Sequence, residues 1–244
     1  MTFSIVKELE DYNWFPAVLR NFQTEFIGFI VDKFNVYGGF IQHLNALQLA
    51  KLPMTDLCSG SGNPAISIYR KSKCFSSLQL TDKFPSVLKI DDNEIHYEIQ
   101  PSDVLEMEFK PNTYYTMFNA FHHFTDEEKI KITQKIQNSG SDAFIVEILE
   151  PSAFYLLKIM FTTTIGCLIL SPFMRPFSLK RLFFTYILPV NLITITFDGI
   201  VSVFKARSVK HYQHLFANSE QKIQVVQLKN GLNPLIVIQL IGAK

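Results

Sequence analysis

The run Asp56-Leu57-Cys58-Ser59-Gly60-Ser61-Gly62 closes on two glycines spaced by one residue. Glycine permits backbone conformations and a close approach that a Cβ would block, so a ligand edge can lie directly on the main chain there. Asn63 and Pro64 follow at the entry to the next element. Twenty residues after Gly62 the segment Leu78-Gln79-Leu80-Thr81 ends in Asp82, with Lys83 behind it. A carboxylate so placed can accept both hydroxyl hydrogens of a ribose. A third acid, Asp103, stands between Ser102 and Val104, where it can accept from an exocyclic amino group of an adenine. Further on, Asn119-Ala120-Phe121-His122-His123 supplies an amide and two imidazoles, groups that titrate near neutral pH and suit general-base work. Each of these residues also has a plainer use. The glycine pair serves an ordinary tight turn, Asp82 a helix cap, Asp103 a surface turn, and the His pair packing at a helix entry.

The elements that must position them are legible in the pattern. Pro53–Cys58 is a short apolar strand, the glycines form the loop, and Asn63–Ile68 opens a helix with proline early in it. Further strands read at Ser77–Thr81, Ile95–Ile99, Tyr114–Phe118 and Ala143–Leu149, with a helix from Asp126 to Gln137 entered through a capping box, Thr125 to Glu128. Alternating strands and helices favour a parallel sheet covered on both faces. Ahead of them, apolar residues from Phe15 to Phe34 recur at helical spacing, with a break expected at Gly38-Gly39, so two or three helices precede the first strand. At the end, Lys222–Leu228 and Leu235–Ile241 flank Asn230-Gly231 as an antiparallel hairpin.

Composition bounds the partners. With 23 Lys+Arg against 22 Asp+Glu, the formal charge of +1 makes no field to draw nucleic acid. Three distant cysteines, Cys58, Cys74 and Cys167, show neither a disulfide framework nor a CxxC metal site, so no metal is expected and a reducing, cytoplasmic compartment is. The N-terminus lacks the basic region and apolar run of a secretion signal. His211 and His214 lie in a polar helical stretch and read as surface residues.

Taken in order, these pieces resemble the class I S-adenosylmethionine-dependent methyltransferases, in their small-molecule branch. Asp56 to Gly62 is similar to the family's first motif, Asp82 to its ribose-holding acid, Ser102-Asp103-Val104 to its adenine-contacting segment, Asn119–His123 to its fourth-strand motif and Val146–Pro151 to its fifth-strand ending. The resemblance implies an α/β, Rossmann-like sheet of seven strands, mostly parallel with an antiparallel last strand. It implies S-adenosylmethionine as cofactor, held by Asp56, Cys58, Ser59, Gly60, Gly62, Asn63, Asp82, Lys83, Ser102, Asp103, Val104 and Asn119, with His123 and then His122 as candidate bases. Cys58 departs from the pattern by standing where the family most often has its first glycine. A dinucleotide-binding loop would instead need a third glycine where Ala65 stands.

Between the fifth strand and the hairpin the chain turns strongly apolar. Ala153–Leu170 carries one charge, Lys158, and a second apolar run follows from Leu182 to Phe197, with Arg175, Lys180 and Arg181 between them. Eighteen helical residues rise about 27 Å, slightly short of a hydrocarbon core, and Pro172, Pro176 and Pro189 break the region. A helical hairpin resting on the core or lying in a membrane interface through residues 153–200 fits this layout. Asp198-Gly199 reads as a turn. By analogy with the family, Trp14, Phe15, Arg20, Tyr37 and the Phe-rich insertion shape the site of a small, apolar or lipid-like acceptor. The expected organisation is an N-terminal helical cap (1–50), the cofactor-binding core (51–152), an apolar helical insertion or lid (153–208), and a last helix with the hairpin (209–244). A non-catalytic cofactor-binding or membrane-interaction protein on the same fold is the competing reading, and the oligomeric state stays open.

Overall fold

The computed structural model describes residues 6–86, 90–217, 222–231 and 234–240. Leu232 and Asn233 of the expected hairpin turn, and Ile241 at its expected end, lie outside the described residues. The chain divides into two compact units, a smaller one of Met1–Ile30 with Leu149–Arg207 and a larger one of Val31–Ile148 with Ser208–Lys244. The expected cap of residues 1–50 is thus divided, its last twenty residues grouping with the sheet.

In the larger unit, seven strands form one sheet: β1 (Met54–Leu57), β2 (Leu78–Thr81), β3 (Ile95–Tyr97), β4 (Tyr114–Phe118), β5 (Asp142–Glu147), β6 (Ile223–Leu228) and β7 (Leu235–Leu240). Their order is β3-β2-β1-β4-β5-β7-β6. The first five run parallel, and β7 is antiparallel to both β5 and β6. β1 and β4 are buried along their whole length, as central parallel strands must be, while β6, at the sheet edge, is at most half-buried and exposes Gln224 and Gln227.

Successive side chains on a strand face opposite ways, and the core divides accordingly. Phe144, Val146, Leu235 and Val237 pack with Phe40, Leu44 and Ile68, whereas Ala143, Ile145, Ile236 and Ile238 pack with Ile132, Ile136 and Tyr212. The helices α1 (Gly38–Ala46) and α2 (Ala65–Ser72) supply the first set, and α3 (Asp126–Asn138) with the Val209–Leu215 helix supplies the second. Gly38 and Gly39 open α1 instead of breaking a helix, because the turn falls at Phe34–Tyr37, where Asn35 takes a positive φ. The capping box forms as expected, with the Glu128 amide donating to Thr125 Oγ1 and the Thr125 amide to Glu128 Oε2.

The smaller unit contains the Ala153–Phe173 helix, which is continuous through a π-helical turn at Thr162–Gly166 and carries Pro172 only in its last turn. A second helical piece, Leu179–Ile187, meets the Val190–Lys205 helix at an 80° bend. Phe26, Cys167, Met174 and Ile195 form one core here, and Phe15, Leu19 and Phe22 another. Asp198-Gly199 is not a turn but mid-helix. Packing requires the glycine, since a Cβ at residue 199 would stand 2.7 Å from a methyl of Ile159. Asp198 is occupied structurally, accepting from the amides of Leu9 and Glu10.

Candidate functional site

The point where the strand order reverses lies between β1 and β4, and in such sheets ligands bind outside the carboxyl ends of the strands flanking it. The glycine loop leaves β1 at that end. Cys58, Gly60 and Gly62 all take positive φ, at 57°, 51° and 85°. The loop is pinned to the sheet beneath it: the Ser59 amide donates to the Thr81 carbonyl, and the hydroxyls of Ser59 and Thr81 both donate to the Asp56 carbonyl.

Asp82, at the end of β2, ties directly to this loop. Its Oδ2 accepts from the Gly60 amide at 2.7 Å and its Oδ1 from the Phe84 amide at 2.7 Å. From β3, the Tyr97 hydroxyl donates to the Gly60 carbonyl at 2.8 Å and accepts from the Ser86 amide, so Gly60 is held on both sides of its backbone. Burial first, then the charge of Asp82, pushes the Tyr97 phenol up so that it stays neutral.

The Ser102 amide donates to the Asp82 carbonyl, bringing the third acidic segment alongside the second. There Lys83 Nζ pairs with Asp103 Oδ2 at 2.8 Å and the Leu105 amide donates to Oδ1. Burial alone would raise the Asp103 carboxyl, but Lys83 and that amide outweigh it and leave its pKa below the ordinary value. Val104 is buried among core residues and Asn63 is half-buried at the far end of the glycine loop.

Beneath the loop, Asp56 is buried and its Oδ1 accepts from Thr116 Oγ1 of β4 at 2.7 Å. Burial dominates its environment, with a smaller push from Asp82, and its pKa stands at about 7. Beyond β4, Asn119 takes φ 51° and its amide donates to the Val146 carbonyl. Its Oδ1 is buried without a hydrogen-bond partner among the described residues, as is the hydroxyl of Tyr37, which feels the charges of Glu147 and Asp56.

The two histidines separate in role. His122 is buried with Nδ1 2.7 Å from Glu147 Oε2, while Glu147 Oε1 accepts from the Phe121 amide. Burial works to raise the Glu147 carboxyl, but His122 and that amide more than offset it. His122 therefore joins the ends of β4 and β5. His123 is half-buried, its ring 4.6 Å from that of His122. Arg20 and Phe15, expected around an acceptor, are used within the smaller unit instead. The Arg20 guanidinium donates to the Glu10 and Tyr12 carbonyls, and Phe15 is core. Trp14 is exposed and stacks on Tyr12. His211 is half-exposed and pairs with Asp126, and His214 is exposed.

No protein-family model matches the chain, and no curated protein matches it by sequence. Solved structures do. Human N-acetylserotonin methyltransferase in complex with SAM superposes with a TM-score of 0.53 at 13% identity, covering 88% of this chain and 55% of that one. The plantazolicin methyltransferase BpumL, in complex with a pentazolic analogue and SAH, gives 0.52 at 9% identity over 93% and 97%. PigF with SAH gives 0.51 at 12% over 94% and 62%. The chain has the class I methyltransferase fold. It spans about half the length of the human enzyme.

Within the methyltransferase fold, the left-handed backbone at Cys58 explains why a glycine is expected there: an L side chain in that region costs about 1–2 kcal/mol. Cys58→Gly should leave the thermal midpoint unchanged or higher, whereas the β-branched Cys58→Val should lower stability by about 2 kcal/mol. Equal midpoints for the two variants would refute the strain.

Proposed function

We propose that the larger unit binds S-adenosylmethionine and that the protein transfers its methyl group to a small, apolar or lipid-like acceptor. The observation that carries this reading is the acid-clamped glycine loop at the topological switch, with the Tyr37 hydroxyl and Asn119 Oδ1 buried beside it and lacking protein partners among the described residues. Such orphaned groups cost stability unless a ligand meets them. The residues fit the group. Asp82 would hold the ribose hydroxyls, the backbone of Gly60–Gly62 would lie against the ligand, Ser102, Asp103 and Val104 would meet the adenine, and Asn119 and Tyr37 would supply the remaining polar contacts.

When bound, S-adenosylmethionine supplies an electrophilic sulfonium methyl. The chain's share of the chemistry is then alignment of the acceptor with that methyl, which alone can lower a barrier substantially. For an acceptor that must lose a proton, His123 is the base we favour, because His122 is committed to Glu147. The apolar class of acceptor is supported by the apolar surface that the smaller unit exposes, where such molecules partition. The reduced thiols of Cys58, Cys74 and Cys167 suit a reducing, cytoplasmic compartment.

Calorimetric titration with S-adenosylmethionine and S-adenosylhomocysteine tests the reading. Saturable binding is expected, weakened roughly 10- to 100-fold in Asp82→Ala, because two charge-assisted hydrogen bonds go with the carboxylate. No saturable binding at millimolar ligand overturns the enzyme reading.

A further inference from the structure

The Ala153–Phe173 helix is built inside out. Its inward row, Tyr155, Ile159, Thr163, Cys167 and Ser171, mixes apolar with polar side chains, and all but Ile159 are buried. Its outward row is Leu157, Phe161, Ile165, Ile169 and Phe173, each between 42% and 67% exposed. A helix in water carries its apolar stripe inward and its polar stripe outward. Beyond it the same unit exposes Leu179, Ile187 and Ile193, each more than half accessible. Single exposed apolar residues are ordinary; a continuous surface of them marks a site of interaction.

The charge pattern says what that surface meets. From residue 151 to residue 197 there is no Asp or Glu, and there are four cations, Lys158, Arg175, Lys180 and Arg181. Arg181 is buried against Glu25, but Arg175, in the turn between the helices, and Lys180, at the start of the Leu179–Ile187 piece, are exposed, and Lys158 reaches along the Tyr155 ring. A protein partner would leave no reason for acids to be absent over so long a stretch. A surface of phosphate headgroups gives one, since exposed acids are repelled there and cations attracted. Four hydroxyls in this region donate to backbone carbonyls of their own unit: Thr163 to Ile159, Thr164 to Met160, Thr185 to Arg181 and Tyr186 to Leu168.

We propose that this face of the smaller unit is a docking surface for an anionic lipid bilayer. The Ala153–Phe173 helix lies along the interface with its outward row in the acyl region, and Arg175 and Lys180 sit among the phosphates. It lies rather than spans, because its inward row is packed within its own unit, where Gly199 admits Ile159 at close range. The proposal rests on this surface alone and does not require methyl transfer.

Co-sedimentation of the full chain with vesicles of phosphatidylcholine, alone or mixed with phosphatidylglycerol, tests it, with analytical ultracentrifugation alongside. The wild type should pellet with the mixed vesicles and at least tenfold less with the neutral ones. The double variant Phe161→Glu/Ile169→Glu, exposed positions whose change leaves the thermal midpoint intact, should stay in the supernatant. Arg175→Gln/Lys180→Gln should lose the preference for phosphatidylglycerol. Failure to pellet with either vesicle overturns the proposal, as does pelleting that survives Phe161→Glu/Ile169→Glu. A vesicle-indifferent dimer that those two substitutions convert to monomer would also overturn it, because the occupant is then a second copy of the chain.

Discussion

Arg181→Met is expected to lower the stability of the protein by roughly 3–5 kcal/mol, read as the fall in the urea-unfolding free energy at pH 7. The side chain is 1% exposed and its guanidinium does three things at once. Nη1 meets Glu25 Oε2 at 2.9 Å, and Nη2 donates to the carbonyls of Met174 and Pro176. Methionine restores volume but no donor, so a half-buried carboxylate and two carbonyls lose their partner together. Lysine restores the charge without the planar fork and should recover less than half of the loss. Burial already lifts the Glu25 carboxyl, against the pull of Arg181. With that pull removed, its pKa rises further, and the penalty in Arg181→Met should shrink at pH 5, where Glu25 can accept a proton. A loss below 1 kcal/mol, or one independent of pH, would show that the buried pair is not what holds the Met174–Pro176 turn.

Local signals were enough for much of the fold. The strand Tyr114–Phe118 and the Thr125–Glu128 capping box stand where the spacing puts them, because both depend on residues adjacent in the chain. The glycine loop, Asp82 and Asp103 were legible for the same reason, each following a recognisable strand. What the sequence hid is set by register across the sheet. Thr116 reaches Asp56 because those residues are paired across β1 and β4, and Tyr97 reaches Gly60 from a strand two positions away. No linear spacing encodes either contact. Asp198-Gly199 misled in the opposite direction, since a dipeptide that usually marks a turn is held in a helix by tertiary packing against Ile159. In the sequence Arg181 is one of three cations between two apolar runs, and only its ion pair with Glu25 reveals that it is buried. The inverted polarity of the Ala153–Phe173 helix was likewise invisible in composition, because a helix apolar on nearly every side does not say which row faces outward until the inward row is seen.

Asp56→Asn should flatten the fall in stability of the protein between pH 5 and pH 8. The wild-type carboxyl has a pKa of about 7 in the folded chain, raised by burial, against about 3.9 when unfolded. The folded state therefore holds this proton more tightly than the unfolded state. Its contribution is fully present below pH 4 and is lost as pH rises toward and through 7, since the unfolded chain then ionises freely while the folded one must bury a charge. Between pH 5 and pH 8 that loss amounts to roughly 2.5 kcal/mol. Asparagine cannot ionise, yet its side-chain oxygen can still accept from Thr116 Oγ1, so the variant keeps the contact and sheds the penalty. Asp198, also near 7 through burial, tilts the curve in the same direction in both proteins and cancels in their difference. Urea unfolding at the two pH values gives the comparison directly. Parallel slopes for wild type and Asp56→Asn would mean that Asp56 is ionised at little cost in the folded chain. A flatter slope in the variant would mean that the acid beneath the glycine loop is held partly protonated near neutral pH, leaving Asp82 as the acid that carries the charge at the loop, where it already accepts from the Gly60 amide.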